Sequence, residues 1–75
     1  MITGIQEAAA AAVREYVASN GLCSAIWDGV FFDYAFGRFA AIHERGDVWS
    51  IRRVCADGFG RILFEYECAV HVNRH

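Results

Sequence analysis

Proline and lysine are both absent from this chain of 75 residues. Disordered chains are poor in apolar side chains and rich in charge and proline. Here 56% of the residues are apolar and 15% are aromatic, so the composition excludes a disordered chain and predicts one small folded domain, residues 1–75. Because lysine is absent, all seven basic residues are arginine. Arginine is suited to planar contacts at an interface, but the codon bias of a GC-rich genome is the simpler explanation for the absence of lysine.

An excess of charge of either sign is lacking as well, since the net charge is −2. A nucleic-acid-binding domain normally carries a basic patch, so nucleic acid is not an expected partner. No stretch approaches the roughly 18 apolar residues that span a bilayer, so no membrane partner is expected. The alanine-rich run 8–13 has no basic residue before it, and no targeting segment is predicted.

The three cysteines are odd in number and have no spacing typical of a disulfide framework, which indicates a reducing, cytoplasmic location. Cys68, His71 and His75 form C-x2-H-x3-H, a spacing at which zinc ligands occur. A strand would place Cys68 and His71 on opposite faces, because their separation is odd. Neither a nucleophile–base pair nor a phosphate-binding loop is recognised, so we predict no metal, no cofactor and no enzymatic activity.

The first twenty residues have the pattern of an amphipathic helix. Thr3 and Gln6 have the spacing of a capping box at its start, and Asn20-Gly21 is typical of its end. The apolar stripe at helical spacing consists of Ile5, Ala8, Ala9, Ala12, Val13, Tyr16 and Val17. Most of these side chains are small, so we expect the helix to lie close against a sheet.

Beyond the helix the apolar period changes from 3.6 to 2, which is typical of strands. Asp28-Gly29 predicts a tight hairpin turn that sets Ile26 opposite Phe31. A second hairpin is predicted around the turn 57–60. Its expected cross-strand pairs are Cys55 with Ile62, Arg53 with Phe64, Ile51 with Tyr66 and Trp49 with Cys68 on one face, and Val54 with Leu63, Arg52 with Glu65 and Ser50 with Glu67 on the other.

The segment between the hairpins fits two structures. Residues 39–44 read as a strand joined to Val48 through an Arg45-Gly46 turn, whereas the apolar residues of 32–43 also fit one face of a helix. Gly37 would cost that helix about 1 kcal/mol relative to alanine, which favours the strand. The predicted fold is therefore α+β, with an N-terminal helix packed on a four- to five-stranded antiparallel meander sheet. The alternative has two helices and a smaller antiparallel sheet.

One helix covers only one face of such a sheet, so the other face is predicted to be the working surface. It would carry an apolar strip rimmed by charges, which is the usual anatomy of a protein–protein interface. Phe59 at a loop tip is a candidate anchor residue. The predicted binding residues are Phe31, Val48, Arg52, Val54, Phe59, Arg61, Leu63 and Glu65.

These features predict a small non-enzymatic module that binds a larger protein complex as an inhibitor or adaptor, or binds itself as a homodimer. Small inhibitors encoded by phages and other mobile elements, CRISPR inhibitors among them, have a similar size and general composition. The alternative is a small enzyme or metal-binding subunit whose site is completed in a homo-oligomer.

Overall fold

A computed structural model describes residues 4–20 and 28–73 of the protein. The helix α1 spans Gly4–Asn20, and four strands follow it along the chain. The strands are β1 (Gly29–Tyr34), β2 (Gly37–Arg45), β3 (Val48–Ala56) and β4 (Ile62–His71). Within the described ranges the strands form one antiparallel sheet in the order β1-β2-β3-β4, so each strand pairs with its neighbour in sequence.

This arrangement confirms the predicted fold, a helix packed on an antiparallel meander. The two-helix alternative is wrong, because residues 37–45 form β2 and alternate between the two faces of the sheet. Phe39 and Ala41 point to the helix side, and Gly46 has a φ of 49° in the turn to β3. The strand preceding Asp28 in the predicted first hairpin lies outside the described residues, as does Thr3. Gly29, predicted as a turn residue, instead begins β1 opposite Ile42.

The core lies between α1 and one face of the sheet. The helix buries Ala9, Ala10 and Val13 there, and the sheet contributes large side chains from its two central strands and from β4. The largest fully buried side chains are Trp49, Ile51, Val13 and Val72. Burying each aliphatic side chain of this size contributes about 1.5–3 kcal/mol. The small alanine side chains let the helix backbone approach the sheet, as the sequence predicts.

Polar contacts fix the helix on the sheet at two points. The Gln6 side-chain amide donates to the backbone oxygen of Ala69 in β4 at 2.9 Å. The Tyr16 hydroxyl donates to the carboxylate of the buried Asp28 at 3.1 Å, immediately before β1. The backbone oxygen of Asp28 in turn accepts the N–H of His43 at 3.0 Å, so this contact couples α1 to β2 as well.

The predicted register of the β3–β4 hairpin is wrong by one residue next to its loop. Ala56 pairs with Ile62 and Cys55 with Leu63, whereas the sequence analysis set Cys55 opposite Ile62. The cause is the loop, which contains five residues because Arg61 belongs to it and not to β4. The backbone N–H of Asp57 donates to the oxygen of Arg61 at 3.0 Å and closes the loop there.

A β-bulge shifts the same register by a second residue. Arg52 pairs with Tyr66 but Ile51 pairs with Cys68, so Glu67 is the extra residue on β4. Because one extra residue reverses which face the following side chains occupy, the two halves of β4 differ. Cys68 and Val70 still face the helix as predicted, whereas the loop half of the strand has its faces exchanged.

Candidate protein-binding surface

The face of the sheet opposite α1 carries aromatic, aliphatic and arginine side chains. Its central row runs across all four strands through the cross-strand pairs Phe31–Ala40, Ala40–Arg52 and Arg52–Tyr66. We call this surface the open face and define it by Phe31, Arg38, Ala40, Arg52, Val54, Ile62, Phe64 and Tyr66. Ile62 and Tyr66 keep about 60% of their surface exposed, while Phe31 and Phe64 keep slightly less than half.

Arginine side chains lie over aromatic rings on the open face. The guanidinium carbon of Arg52 is 5.5 Å from the centre of the Tyr66 ring, and that of Arg38 is 5.3 Å from the Phe31 ring. The rings of Phe31 and Phe64 are stacked with centroids 6.5 Å apart, because the short side chain of Ala40 leaves room between the outer strands. Each exposed cation–π contact contributes about 0.5–1 kcal/mol, which favours an orientation of the arginine over the ring.

Few carboxylates lie next to these rings. Asp33 pairs with Arg38 across β1 and β2, with 4.0 Å between carboxylate oxygen and guanidinium nitrogen. Glu67, predicted to lie opposite Ser50 on this face, instead accepts a bond from the Nε of Arg53 at 3.2 Å. The guanidinium of Arg53 also lies 4.8 Å from the ring of the buried Phe39, on the helix side.

The structure places three predicted binding residues on the open face, a fourth beyond its end on the same side of the sheet, and moves two away from it. The three are Phe31, Arg52 and Val54, and the fourth is the half-buried Val48. The predicted position of Leu63 and Glu65 on that face is wrong. They pair with Cys55 and Arg53, which alternate with the open-face residues and point to the helix side. The five-residue loop and the bulge cause both errors.

Phe59 and Arg61 lie in the loop between β3 and β4, beyond the edge of the open face. The carboxylate of Asp57 organises this loop, because it accepts the backbone N–H groups of Phe59 at 2.8 Å and Arg61 at 2.9 Å. It also accepts the Nε of Arg61 at 2.7 Å. The Arg61 guanidinium lies 5.7 Å from the centre of the Phe59 ring, which is 87% exposed. The hydrogen bonds of Asp57 therefore define the backbone of a loop that presents an exposed aromatic ring.

The turn between β1 and β2 presents a second exposed aromatic ring that the sequence analysis did not single out. Ala35 has a φ of 48° and Phe36 a φ of 64°, and the Phe36 side chain is fully exposed. Positive φ at both central residues is typical of the tight hairpin turns that favour Asn-Gly. Neither Ala nor Phe carries that signal, but the strand pattern on both sides of Ala35-Phe36 could have located the turn.

Five residues of the open face were not predicted. Arg38 and Ala40 belong to a segment that fitted both helix and strand, and the wrong register assigned Ile62, Phe64 and Tyr66 to the helix side. The alternation of aromatic and charged residues in 62–67 is visible in the sequence, but it fixes only which residues share a face. Which face is outward depends on the loop length, which Asp57 determines through its hydrogen bonds.

The cysteine and histidine side chains form no cluster in the part of the chain that is described. Cys68 faces the helix side and His71 is exposed opposite Val48, on alternate sides as predicted, while His75 lies outside the described residues. No group of three His, Cys, Asp or Glu side chains within residues 4–20 and 28–73 has the geometry of a metal site. Desolvation raises the pKa of the Cys68 thiol, and desolvation together with Glu65 raises the pKa of the Cys55 thiol.

Comparison with family models, with curated proteins and with solved structures finds no match to this chain. Among the described residues, no helix has the length and apolar character needed to cross a membrane.

Proposed function

We propose that this protein is a small non-enzymatic module that binds another protein through the open face. The observation that carries the proposal is the exposed group of rings and guanidinium groups made by Phe31, Phe64, Tyr66 and the two arginines over them. Tyrosine and arginine are enriched among the residues that dominate binding energy at protein interfaces. They lose less conformational entropy on binding where, as here, contacts between neighbouring side chains already favour one orientation.

The chemistry of the open face favours a protein over a nucleic acid. Single-stranded nucleic acids bind grooves in which aromatic rings alternate with many basic groups. The open face has the rings but only two arginines, and Arg38 already pairs with Asp33. The net charge of −2 adds long-range repulsion toward phosphates. A partner that offers apolar side chains and a few carboxylates matches this surface better.

The broader role follows from the same features. Activated cysteine nucleophiles have a lowered pKa, whereas the thiols of Cys55 and Cys68 have a raised pKa and suit a structural role. Both thiols are free, which supports a cytoplasmic location. An inhibitor or adaptor acting on a larger complex is our proposal for the biological role, and its support is the small size of the chain and the exposed rings of the open face.

Site-specific crosslinking tests the proposed surface. A photoreactive phenylalanine analogue replaces Tyr66 on the open face, and a matched variant carries it at Ala18, an exposed position on α1. After irradiation in the source cells, we expect a defined protein adduct from position 66 and none from position 18. The adduct at position 66 should be lost when Arg52→Glu is added, because the partner is expected to contact that guanidinium.

Two results would contradict the proposal. Equal protein adducts from positions 66 and 18 would show that the open face is not a preferred surface. Adducts with nucleic acid instead of protein at position 66 would show that the rings act as a stacking platform.

A further inference from the structure

We propose that the partner protein adds an extended segment of its chain as a further strand at the free edge of β4. The inference rests on the proposed function, because side chains of the same strand belong to the open face, and it names how the partner docks. Strand addition combines main-chain hydrogen bonds at a sheet edge with contacts to alternate side chains. Its support is the direction of the β4 backbone groups, the capping of one half of the edge, and the exposure of the other half.

The hydrogen bonds between β3 and β4 determine which backbone groups of β4 point away from β3. In an antiparallel pair, residues bonded to the neighbouring strand alternate with residues whose N–H and C=O groups point outward. The bond from the Asp57 N–H to the Arg61 oxygen, at 3.0 Å, sets this alternation at the loop end. The outward residues in the first half of β4 are therefore Ile62, Phe64 and Tyr66.

The half of the edge beyond the β-bulge follows the same alternation but is closed. There the Val72 N–H donates to the Asp47 oxygen at 2.7 Å, which makes Ala69 an outward residue. The outward oxygen of Ala69 accepts the side-chain amide of Gln6 in α1 at 2.9 Å. Bulges and covering elements prevent an edge strand from pairing with another chain. Addition is therefore confined to residues 62–66.

The half of the edge formed by residues 62–66 lacks these protections. Lysine and proline also protect edge strands, and the chain contains neither. Within residues 4–20 and 28–73, no side chain or loop forms a hydrogen bond with the outward backbone groups of Ile62, Phe64 and Tyr66. Both faces are accessible as well, since Leu63 remains 42% exposed although it points to the helix side. An added strand would thus meet free backbone groups and exposed side chains together.

The side chains of residues 62–66 indicate the composition of the added segment. Ile62, Phe64 and Tyr66 lie on the open face, so alternate residues of the segment should be apolar or β-branched. Glu65 lies on the other face, and no cation in the described part of the chain forms an ion pair with it. The residue opposite Glu65 should therefore be basic. We expect antiparallel pairing, which is slightly more stable per residue than parallel pairing.

Titration of the purified full chain with the synthetic peptide acetyl-Arg-Thr-Val-Arg-Val-Thr-Val-Thr-amide tests the addition. In antiparallel pairing its valines face Tyr66, Phe64 and Ile62, and its second arginine faces Glu65. We expect a dissociation constant below about 1 mM. N-methylation of the central valine removes the N–H that bonds to Phe64 and should raise the dissociation constant about tenfold. N-methylation of the second arginine is the matched control, because its N–H points away from β4, and should change the constant less than about twofold.

A pair of variants tests the same bond from the protein side. Phe64→Pro removes an outward N–H and leaves the bonds to β3 in place, since proline is tolerated where the N–H of an edge strand faces solvent. Phe64→Ala removes the ring alone. We expect Phe64→Pro to weaken peptide binding about tenfold more than Phe64→Ala does. Circular dichroism establishes that each variant is folded, and the N-methylated peptides decide alone if Phe64→Pro is not.

Three results would overturn the inference. The first is no binding of the peptide up to about 1 mM, and the second is an equal loss of affinity from the two N-methylated peptides. The third is a purified chain that sediments as a dimer and becomes monomeric with Phe64→Pro, because a second copy would then occupy the edge. If strand addition fails while position 66 still gives a defined protein adduct, this inference alone falls and the proposed function stands.

Discussion

Phe36 is the residue at which the sequence and the backbone disagree most. A bulky side chain at positive φ is strained, and Ala35 beside it adopts the same conformation. The left-handed region costs a non-glycine residue about 1–2 kcal/mol, and the exposed Phe36 ring gains no burial in return. The β1–β2 turn therefore forms because the paired strands on both sides require it, and its own residues oppose it.

Replacing Ala35-Phe36 by Asn-Gly should stabilise the protein. Asn and Gly both tolerate positive φ, so we expect the free energy of unfolding to rise by about 1 kcal/mol in urea titrations. Phe59→Gly is the matched control, because Phe59 is also largely exposed but has no positive φ, and it should bring no gain. An unchanged or lower free energy of unfolding for the Asn-Gly variant would show that the turn is unstrained.

At the scale of elements, the loop between β3 and β4 decides which side chains of β4 face outward. The sequence pattern predicts both strands and the alternation of their side chains between the two faces. The two glycines beside Phe59 predict a four-residue turn, 57–60, which is one residue shorter than the loop in the structure. The carboxylate of Asp57 holds Arg61 in the loop through two hydrogen bonds and Phe59 through a third, and Glu67 adds the bulge. Such side-chain to backbone contacts are not visible as a periodicity, which explains why the register was missed.

The Asp57 loop should make the stability of this hairpin depend on pH. Hydrogen bonds from the backbone N–H groups of Arg61 and Phe59 lower the pKa of Asp57 below its ordinary value. A lowered folded-state pKa contributes stability that is complete above the unfolded-state pKa and lost as the pH falls through the folded-state pKa. We therefore expect the loss below about pH 4, measured by urea unfolding at a series of pH values.

Asp57→Asn provides the control for that prediction, because the amide oxygen still accepts the two backbone N–H groups but carries no charge. Its free energy of unfolding should lie below that of the wild type at neutral pH, and the two should converge as the pH falls. Parallel pH profiles for wild type and variant would exclude Asp57 as the group responsible.

At the scale of the whole molecule, one helix and one sheet leave a face for which the described chain offers no covering element. The core formed by α1, Trp49 and Ile51 lies on the other side of the sheet. Rings on the open face remain partly exposed, and the stacked pair of Phe31 and Phe64 covers only part of it. The residues that stabilise the fold therefore differ from the residues that are exposed to a partner.

The sequence by itself determined the fold class, the helix and the alternation of side chains along each strand, because these follow from local propensity and from apolar periods of 3.6 and 2. It also indicated Phe59, Arg61 and three residues of the open face, Phe31, Arg52 and Val54. Only the tertiary structure decided that Ile62, Phe64 and Tyr66 face outward and that Leu63 and Glu65 do not. The physical reason is that a period of 2 fixes which residues share a face, whereas the choice between the two faces depends on the hydrogen bonds of Asp57 and on the bulge at Glu67.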